Sequence, residues 1–400
     1  MRVRQSLPWA VGVLALLALV AAGALIAARG RPEDAPDVLI RRAQEAIAAK
    51  RWDEAATHLD RLAGSRTRRA AIDYLAAQLD DARGDQEAAL AALARVPDDD
   101  RLAARARLLA GQIERKRDRA RAAEAELIQA VRLDPGLSQA RRELAFLYGI
   151  QGRRADMDAQ FRALSRLVPL DMNGVFLWTN CNEDVVFNIA NRPILERFLA
   201  ADPGDRWSRL ALAEVMFSSG QLEDSEAMLA PLPEGDVGAI SIRARMRIQQ
   251  AQMEEASRLL ALGPEEEPSL AYLRGQMVLN RRDPATAAQL FRTALDYDPA
   301  HREAVVGLSV ALHALGQEAE SVALRRRAED MRNLSNLLLE GFEHLERGSR
   351  DPSLPRRLGA ACEAVGRPEV ARSWYRVALG LDPDNPRIRS ALERLRTAAP

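Results

Sequence analysis

The sequence predicts an all-α solenoid of helix–turn–helix repeats behind one apolar, membrane-spanning helix. Three observations carry this expectation. Small and large apolar residues recur at fixed offsets in separate parts of the chain, Asp-Pro pairs punctuate the helical patterns, and residues 7 to 28 lie in a run without charge between Arg4 and Arg29. With 48% hydrophobic and 28% charged residues, an ordered, core-forming chain is expected.

Taken in order, residues 1–6 form a short basic segment with Arg2 and Arg4. Residues 7–28, LPWAVGVLALLALVAAGALIAA, reach roughly 33 Å at about 1.5 Å per residue, enough to cross a bilayer core. A cleaved signal peptide has an apolar region of only about 7–15 residues, so an uncleaved anchor is expected. Ala22-Gly23-Ala24 resembles a cleavage site, and cleavage there would instead give a soluble secreted protein. Arg2, Arg4 and the α-amino group face Arg29 and Arg31. Acids count for little in the orientation rule, so the bias towards an internal N-terminus is slight. The expectation is a single-pass protein of a bacterial inner membrane with its bulk extracytoplasmic. Residues 29–36 are a linker.

The repeat is read from spacing. Gly111, Ala123, Leu127, Ala130 and Pro135 are separated by 12, 4, 3 and 5 positions. The same steps connect Gly275, Ala287, Phe291, Ala294 and Pro299, and again Gly359, Ala371, Tyr375, Ala378 and Pro383. RLDPG, DYDPA and GLDPD each stop one helix and start the next. Pro135, Pro169 and Pro203 are 34 apart. A 34-residue helix–turn–helix with small residues at these offsets resembles the tetratricopeptide repeat (TPR) family. That resemblance implies a right-handed superhelical solenoid, with first helices lining a concave, peptide-binding face.

Small residues on both helices of a unit would let their backbones approach. Gly152, Gly220, Gly316 and Gly366 recur at one repeat position, where a helix end can use positive φ. The register gives an N-terminal array over 37–169, a degenerate repeat at 170–203, a central array over 204–332 and a C-terminal repeat at 351–383. The surplus at 333–350, NLSNLLLEGFEHLERG with its flank, reads as an extra helix, and 384–400 as a capping helix and tail.

Chemical motifs are missing. The chain has 57 basic and 57 acidic residues, so no global field draws it to nucleic acid. Lys50 and Lys116 are the two lysines, and neither is followed by Ser or Thr as a phosphate-binding loop requires. His58, His301, His313 and His344 are scattered singly, without metal-ligand spacing. Cys181 and Cys362 are too few and too far apart for a disulfide framework or a metal pair; Cys362 falls on a packing position. No catalytic, cofactor or metal residue is assigned, and no cofactor is expected.

One stretch departs from its surroundings. FLWTNCNEDVVFNIANRP, Phe176 to Pro193, is rich in aromatics and asparagine. It fills one 34-residue slot, with Thr179 and Asn191 where small residues belong. Pro193 falls inside the expected second helix, which should therefore start late, near Asn191, and run short. The freed residues would lengthen the first helix or the turn after it.

By the family's register, Asn173, Phe176, Asn180 and Glu183 would point into the groove. Arg142 and Phe146 would flank them on one side, and Trp207, Leu210 and Phe217 on the other. Rings, amides and an arginine suit an extended peptide. The competing reading is a worn repeat whose aromatics fill a packing gap; Trp178 and Phe187 are core residues on either. Phe176 occupies a lysine position of the family's carboxylate clamp, so that mode of capture is not expected.

The leading functional reading is a non-enzymatic, membrane-anchored scaffold that gathers a protein or peptide partner at the cell envelope. The alternative is an accessory subunit or enzyme acting on an envelope polymer through Glu183, Asp184 or Glu214.

Overall fold

A computed structural model describes residues 35–65, 67–181, 189–346 and 351–397. The transmembrane helix expected at 7–28, the basic segment before it and most of the linker lie outside the described residues. Among the described residues, no helix is long and apolar enough to cross a membrane. They are all-α, with one short 3-10 turn at Ile189–Asn191 and no strand.

The chain divides into two compact units, Met1–Ile113 with Arg132–Asp134, and Glu114–Val131 with Pro135–Pro400. In the first, α1 (Pro36–Ala48) pairs with α2 (Trp52–Asp60), and α3 (Arg69–Arg83) with α4 (Gln86–Leu93). Leu39, Ile40, Leu59, Ile72 and Leu75 form one part of its core, and Ala77, Leu93, Val96 and Ile113 another. Asp73, at 1% exposure, is held between Arg69 and Arg95. Such a buried carboxylate requires paired donors. The next two helices, α5 (Ala103–Lys116) and α6 (Ala120–Leu133), are divided between the units.

In the second unit α7 (Ser138–Ile150) pairs with α8 (Arg154–Leu167). The atypical repeat supplies α9 (Met172–Asn180) and α10 (Arg192–Ala201). Hairpins follow in α11 (Arg206–Ser218) with α12 (Leu222–Leu229), and α13 (Val237–Gln249) with α14 (Met253–Leu262). Then come α15 (Pro268–Asn280) with α16 (Pro284–Tyr297), and α17 (Arg302–Ala314) with α18 (Glu318–Glu346). The last hairpin is α19 (Ser353–Ala364) with α20 (Pro368–Leu381), and α21 (Pro386–Thr397) packs on α20.

Two features of each hairpin explain why these sequences fold so. The first is a pair of residues 12 positions apart, one per helix. Ala43 and Ala55, Ala77 and Ala89, and Ala244 and Ala256 are each fully buried pairs of this kind. Where the pair carries serine, the hydroxyl reports how near the backbones are. Ser225 Oγ donates to the Ala213 carbonyl at 2.8 Å, and Ser321 Oγ to the Ser309 carbonyl at 2.8 Å. Where the first member is glycine, the space also takes a ring. A Cβ on Gly275 would lie 2.8 Å from Phe291 Cε1, and one on Gly307 would lie 2.6 Å from Phe291 Cζ. Phe291 is thus wedged between α15 and α17 at 0% exposure, where burying a ring contributes about 1.5–3 kcal/mol.

The second feature is the turn that ends each first helix. Gly152, Gly220, Gly316 and Gly366 have φ between 65° and 81°, as the spacing predicts, and Gly84, outside that predicted set, has φ 87°. Lys50, Asp118, Ala251 and Arg282 adopt φ of 57° to 65° at the same position. The hydrogen bonds are the same in both classes. Gly316 N–H reaches the His313 carbonyl and Gln317 N–H the Leu312 carbonyl; Ala251 N–H reaches Ile248 and Gln252 N–H reaches Arg247. The left-handed turn is therefore imposed by the hairpin, and a side chain there is strained by about 1–2 kcal/mol.

The helix expected as a separate element at 333–350 is not separate. α18 runs unbroken for 29 residues from the second helix of its unit through that segment, roughly 43 Å at about 1.5 Å per residue. No proline or turn glycine interrupts MRNLSNLLLE, so nothing ends the helix. The late start of the helix after Pro193 does occur: α10 begins at Arg192, with Pro193 in its first turn. α9 is not lengthened in exchange, for it stops at Asn180 after nine residues.

Ala251→Gly should stabilise the protein by about 0.5–1 kcal/mol by relieving left-handed strain. Gly275→Ala should destabilise it by about 1–3 kcal/mol through the clash with Phe291. Urea denaturation monitored by circular dichroism measures both.

Candidate functional site

The expected groove residues divide into three groups. Phe146, Trp207, Phe217, Arg142 and Asn173 are open to solvent to differing degrees. Phe146 is 50% exposed and Arg115 lies over its ring at 5.6 Å. Trp207 is 38% exposed with Arg153 at 4.6 Å and Arg206 at 4.4 Å. Phe217 is half-buried beneath Arg245 at 4.8 Å. Rings that keep contact with water while covered by guanidinium groups are a recurrent feature of these first helices, and such contacts are worth about 0.5–1 kcal/mol at exposed sites.

Phe176, Asn180 and Leu210 are corrections, because all three are buried. Phe176 packs beneath the continuation of α18, where a Cβ on Gly341 would lie 3.1 Å from its ring. Asn180 Nδ2 donates to the Phe176 carbonyl at 3.0 Å, so its amide serves its own helix and offers nothing to a ligand. Leu210 fills the core with Ala213, Leu229, Ile242 and Met246. A register taken from an ideal repeat could not anticipate the helix laid over Phe176. Glu183 lies outside the described residues, as do Asp184 and Phe187.

The atypical repeat has another occupant: the far end of the chain. α20 packs on α8 and α9. Trp178, fully buried, stacks on Phe161 with centroids 6.4 Å apart and donates from Nε1 to Asp158 at 2.7 Å. Thr179, standing where a small residue is expected, donates to the Val175 carbonyl at 2.7 Å and accepts from Trp374 Nε1 at 2.8 Å. Arg367 donates to the carbonyls of Thr179 at 2.8 Å and Trp178 at 3.1 Å. These carbonyls belong to the last turn of α9, where the Cys181 N–H, 3.3 Å from the Trp178 carbonyl, is the other donor among the described residues. A guanidinium there also complements the helix dipole. Glu369 adds ion pairs to Arg162 and Arg166.

Beside this contact is a cleft of about 990 Å³. Its walls are the turn from α7 into α8, the face of α8 carrying Asp158 and Arg162, the turn from α16 into α17, and α20. Trp207 and Tyr297 are exposed rings at its edge. A second depression of about 420 Å³ continues it along the end of α8, sharing Glu369 and Arg372. The sequence singled out Trp207 and missed the rest. The missing signal was long-range, since neither Arg367 nor Trp374 has a local pattern pointing to residues near 179.

Burial pushes the Cys181 thiol up to about 12, so it is no thiolate nucleophile at neutral pH. Cys362 is fully buried in the core. No cluster of potential metal ligands occurs among the described residues. Of the three carboxylates considered for an acid/base role, Glu214 is paired with Arg245 at 2.8 Å, and the other two lie outside the described residues.

Comparison with known proteins agrees with the repeat reading. Family models described as "Tetratricopeptide repeat" match residues 192–246 and 255–335. No curated protein sequence matches the chain. Three solved structures illustrate the similarity. The APC/C hetero-tetramer Cut9–Hcn1 is 14% identical, covers 90% of each chain and has a TM-score of 0.36. A tetratricopeptide repeat protein from Parabacteroides merdae ATCC 43184 is 15% identical over 61% of this chain and 99% of its own, with a TM-score of 0.32. A monomeric IFIT1 mutant with Gppp-AAAA is 11% identical over 87% of this chain and 90% of its own, with a TM-score of 0.34. Likeness at this level says nothing of what this chain binds.

Thr179→Val keeps the side-chain shape and removes the acceptor for the buried Trp374 indole. It should cost about 1–3 kcal/mol, the price of an unsatisfied buried donor. Equilibrium denaturation checks this, and the paired Trp374→Phe change, which removes the donor as well, should recover part of the loss.

Proposed function

We propose that the chain is a non-enzymatic repeat scaffold that holds a protein or peptide partner at the cell envelope, tethered through residues 7–28. The observation that carries this reading is the set of water-exposed, guanidinium-covered rings on first helices: Phe146, Trp207 and Phe217. Aromatic residues and arginine dominate binding energy at protein interfaces, and a helical-repeat array presents such groups on successive units. Val306 and Val310, exposed on α17, extend the apolar character of these helices. The uncharged run of residues 7–28 supports the tether, and the slight excess of positive charge ahead of it, from Arg2, Arg4 and the α-amino group, is the support for a bulk outside the cytoplasm.

The test is purification of the full chain in detergent from carbonate-washed native membranes, followed by mass spectrometry. The wild type should remain in the washed membranes and retain a partner. A Phe146→Ala, Trp207→Ala, Phe217→Ala variant with unchanged circular dichroism should remain there and lose that partner at least tenfold. An identical set of partners in both would remove the first-helix surface from the reading. Release of the wild type by the wash would remove the tether.

A further inference from the structure

The cleft between α8 and α20 is lined mainly by second helices and the turns leading into helices, and its charge is not balanced. We infer that it binds an acidic peptide segment, at a site that borders Trp207 but includes neither Phe146 nor Phe217. The two adjoining depressions are lined by eight arginines and four carboxylates. The carboxylates are already engaged. Asp156 pairs with Arg153, and Arg162 bridges Asp158 and Glu369. Asp298 accepts from the Ala300 N–H.

On the opposite wall Arg367 has one long ion pair, and the remaining contacts are to backbone carbonyls. Arg327 donates to the Pro299 carbonyl, Arg367 to those of Trp178 and Thr179, and Arg372 to that of Leu395. A carbonyl accepts a hydrogen bond without neutralising a charge. The nearest carboxylate to Arg367, Asp158, is 3.9 Å away. Arg372 Nε is buried without a hydrogen-bond partner, and Arg376 is exposed at the mouth of the second depression. The cleft thus presents positive charge in a partly desolvated setting, where carboxylates gain most from charge-assisted hydrogen bonds.

Dimensions select the ligand class. The lining follows α8 from Arg153 to Pro169, roughly 24 Å at about 1.5 Å per residue, which accommodates about seven residues of extended chain. A small anion would engage only part of that length. A single-stranded nucleic acid would need a run of free ring faces for its bases, but Arg153 and Arg206 lie over Trp207, which leaves Tyr297 as the exposed ring at the edge. An acidic peptide uses both the arginines and the length.

The experiment is fluorescence anisotropy with fluorescein-labelled octaglutamate and the full chain in detergent, with octauridylate as competitor. Octaglutamate should bind, weaken as salt is raised, and resist displacement by octauridylate. Affinity should fall at least tenfold in an Arg327→Glu, Arg376→Glu variant. Arg376→Glu alone, a surface change that spares folding, should lose about threefold, in line with one screened charge contact. No binding by the wild type, equal affinity in the Arg376→Glu variant, or preferred binding of octauridylate would each overturn the inference. Because the octaglutamate measurement does not involve Phe146 or Phe217, its failure would leave the first-helix scaffold reading standing.

Discussion

A helix of nine residues ends almost as soon as it begins, and α9 is such a helix. The last carbonyls of any helix lack partners within it, so in α9 the unpaired part is a large share of the whole. Arg367 satisfies two of these carbonyls from the last hairpin of the chain. Trp374 does the same for the one hydroxyl that interrupts the run of small residues. Remove that contact and α9 loses its cap, and the cleft beside α8 loses a wall.

The rest of the second unit is arranged so that this contact can form. Pairs of small residues 12 positions apart draw the two helices of a hairpin together, and the serine–carbonyl bonds mark how close they come. Such pairs repeat with little variation, so the hairpins supply regular steps. α18 departs from the regular step by continuing well beyond its partner α17. Its continuation covers Phe176 and connects to the hairpin that returns to α9. One irregular repeat and one overlong helix are thus two halves of a single device.

Much of this was legible in the sequence because it is local. The left-handed turns at Gly152, Gly220, Gly316 and Gly366 were predictable from spacing, and so was the delayed helix at Pro193. The same turn at Ala251 and Arg282 was not, because composition gives no hint of positive φ at an alanine or an arginine. The expected exposure holds where it depends only on position within a repeat, as for Phe146 and Trp207. It failed at Phe176, Asn180 and Leu210, where a neighbouring element decides whether a side chain meets water. The cleft was invisible for the same reason, since its two walls come from distant parts of the chain.

The bond between Trp374 and Thr179 joins residues 195 positions apart. At synthesis rates of about 5–20 residues per second, α9 emerges roughly 10–40 s before the residues that cap it. During that interval the Thr179 hydroxyl lacks the Trp374 donor and the terminal carbonyls of α9 lack Arg367, whereas each ordinary hairpin is complete within a few dozen residues. The hairpins can therefore mature one after another, but the cleft exists only once α20 has been made. A product cut short before α20 would fold most of the preceding repeats and still lack this wall, so one late helix decides whether an early repeat acquires its surface.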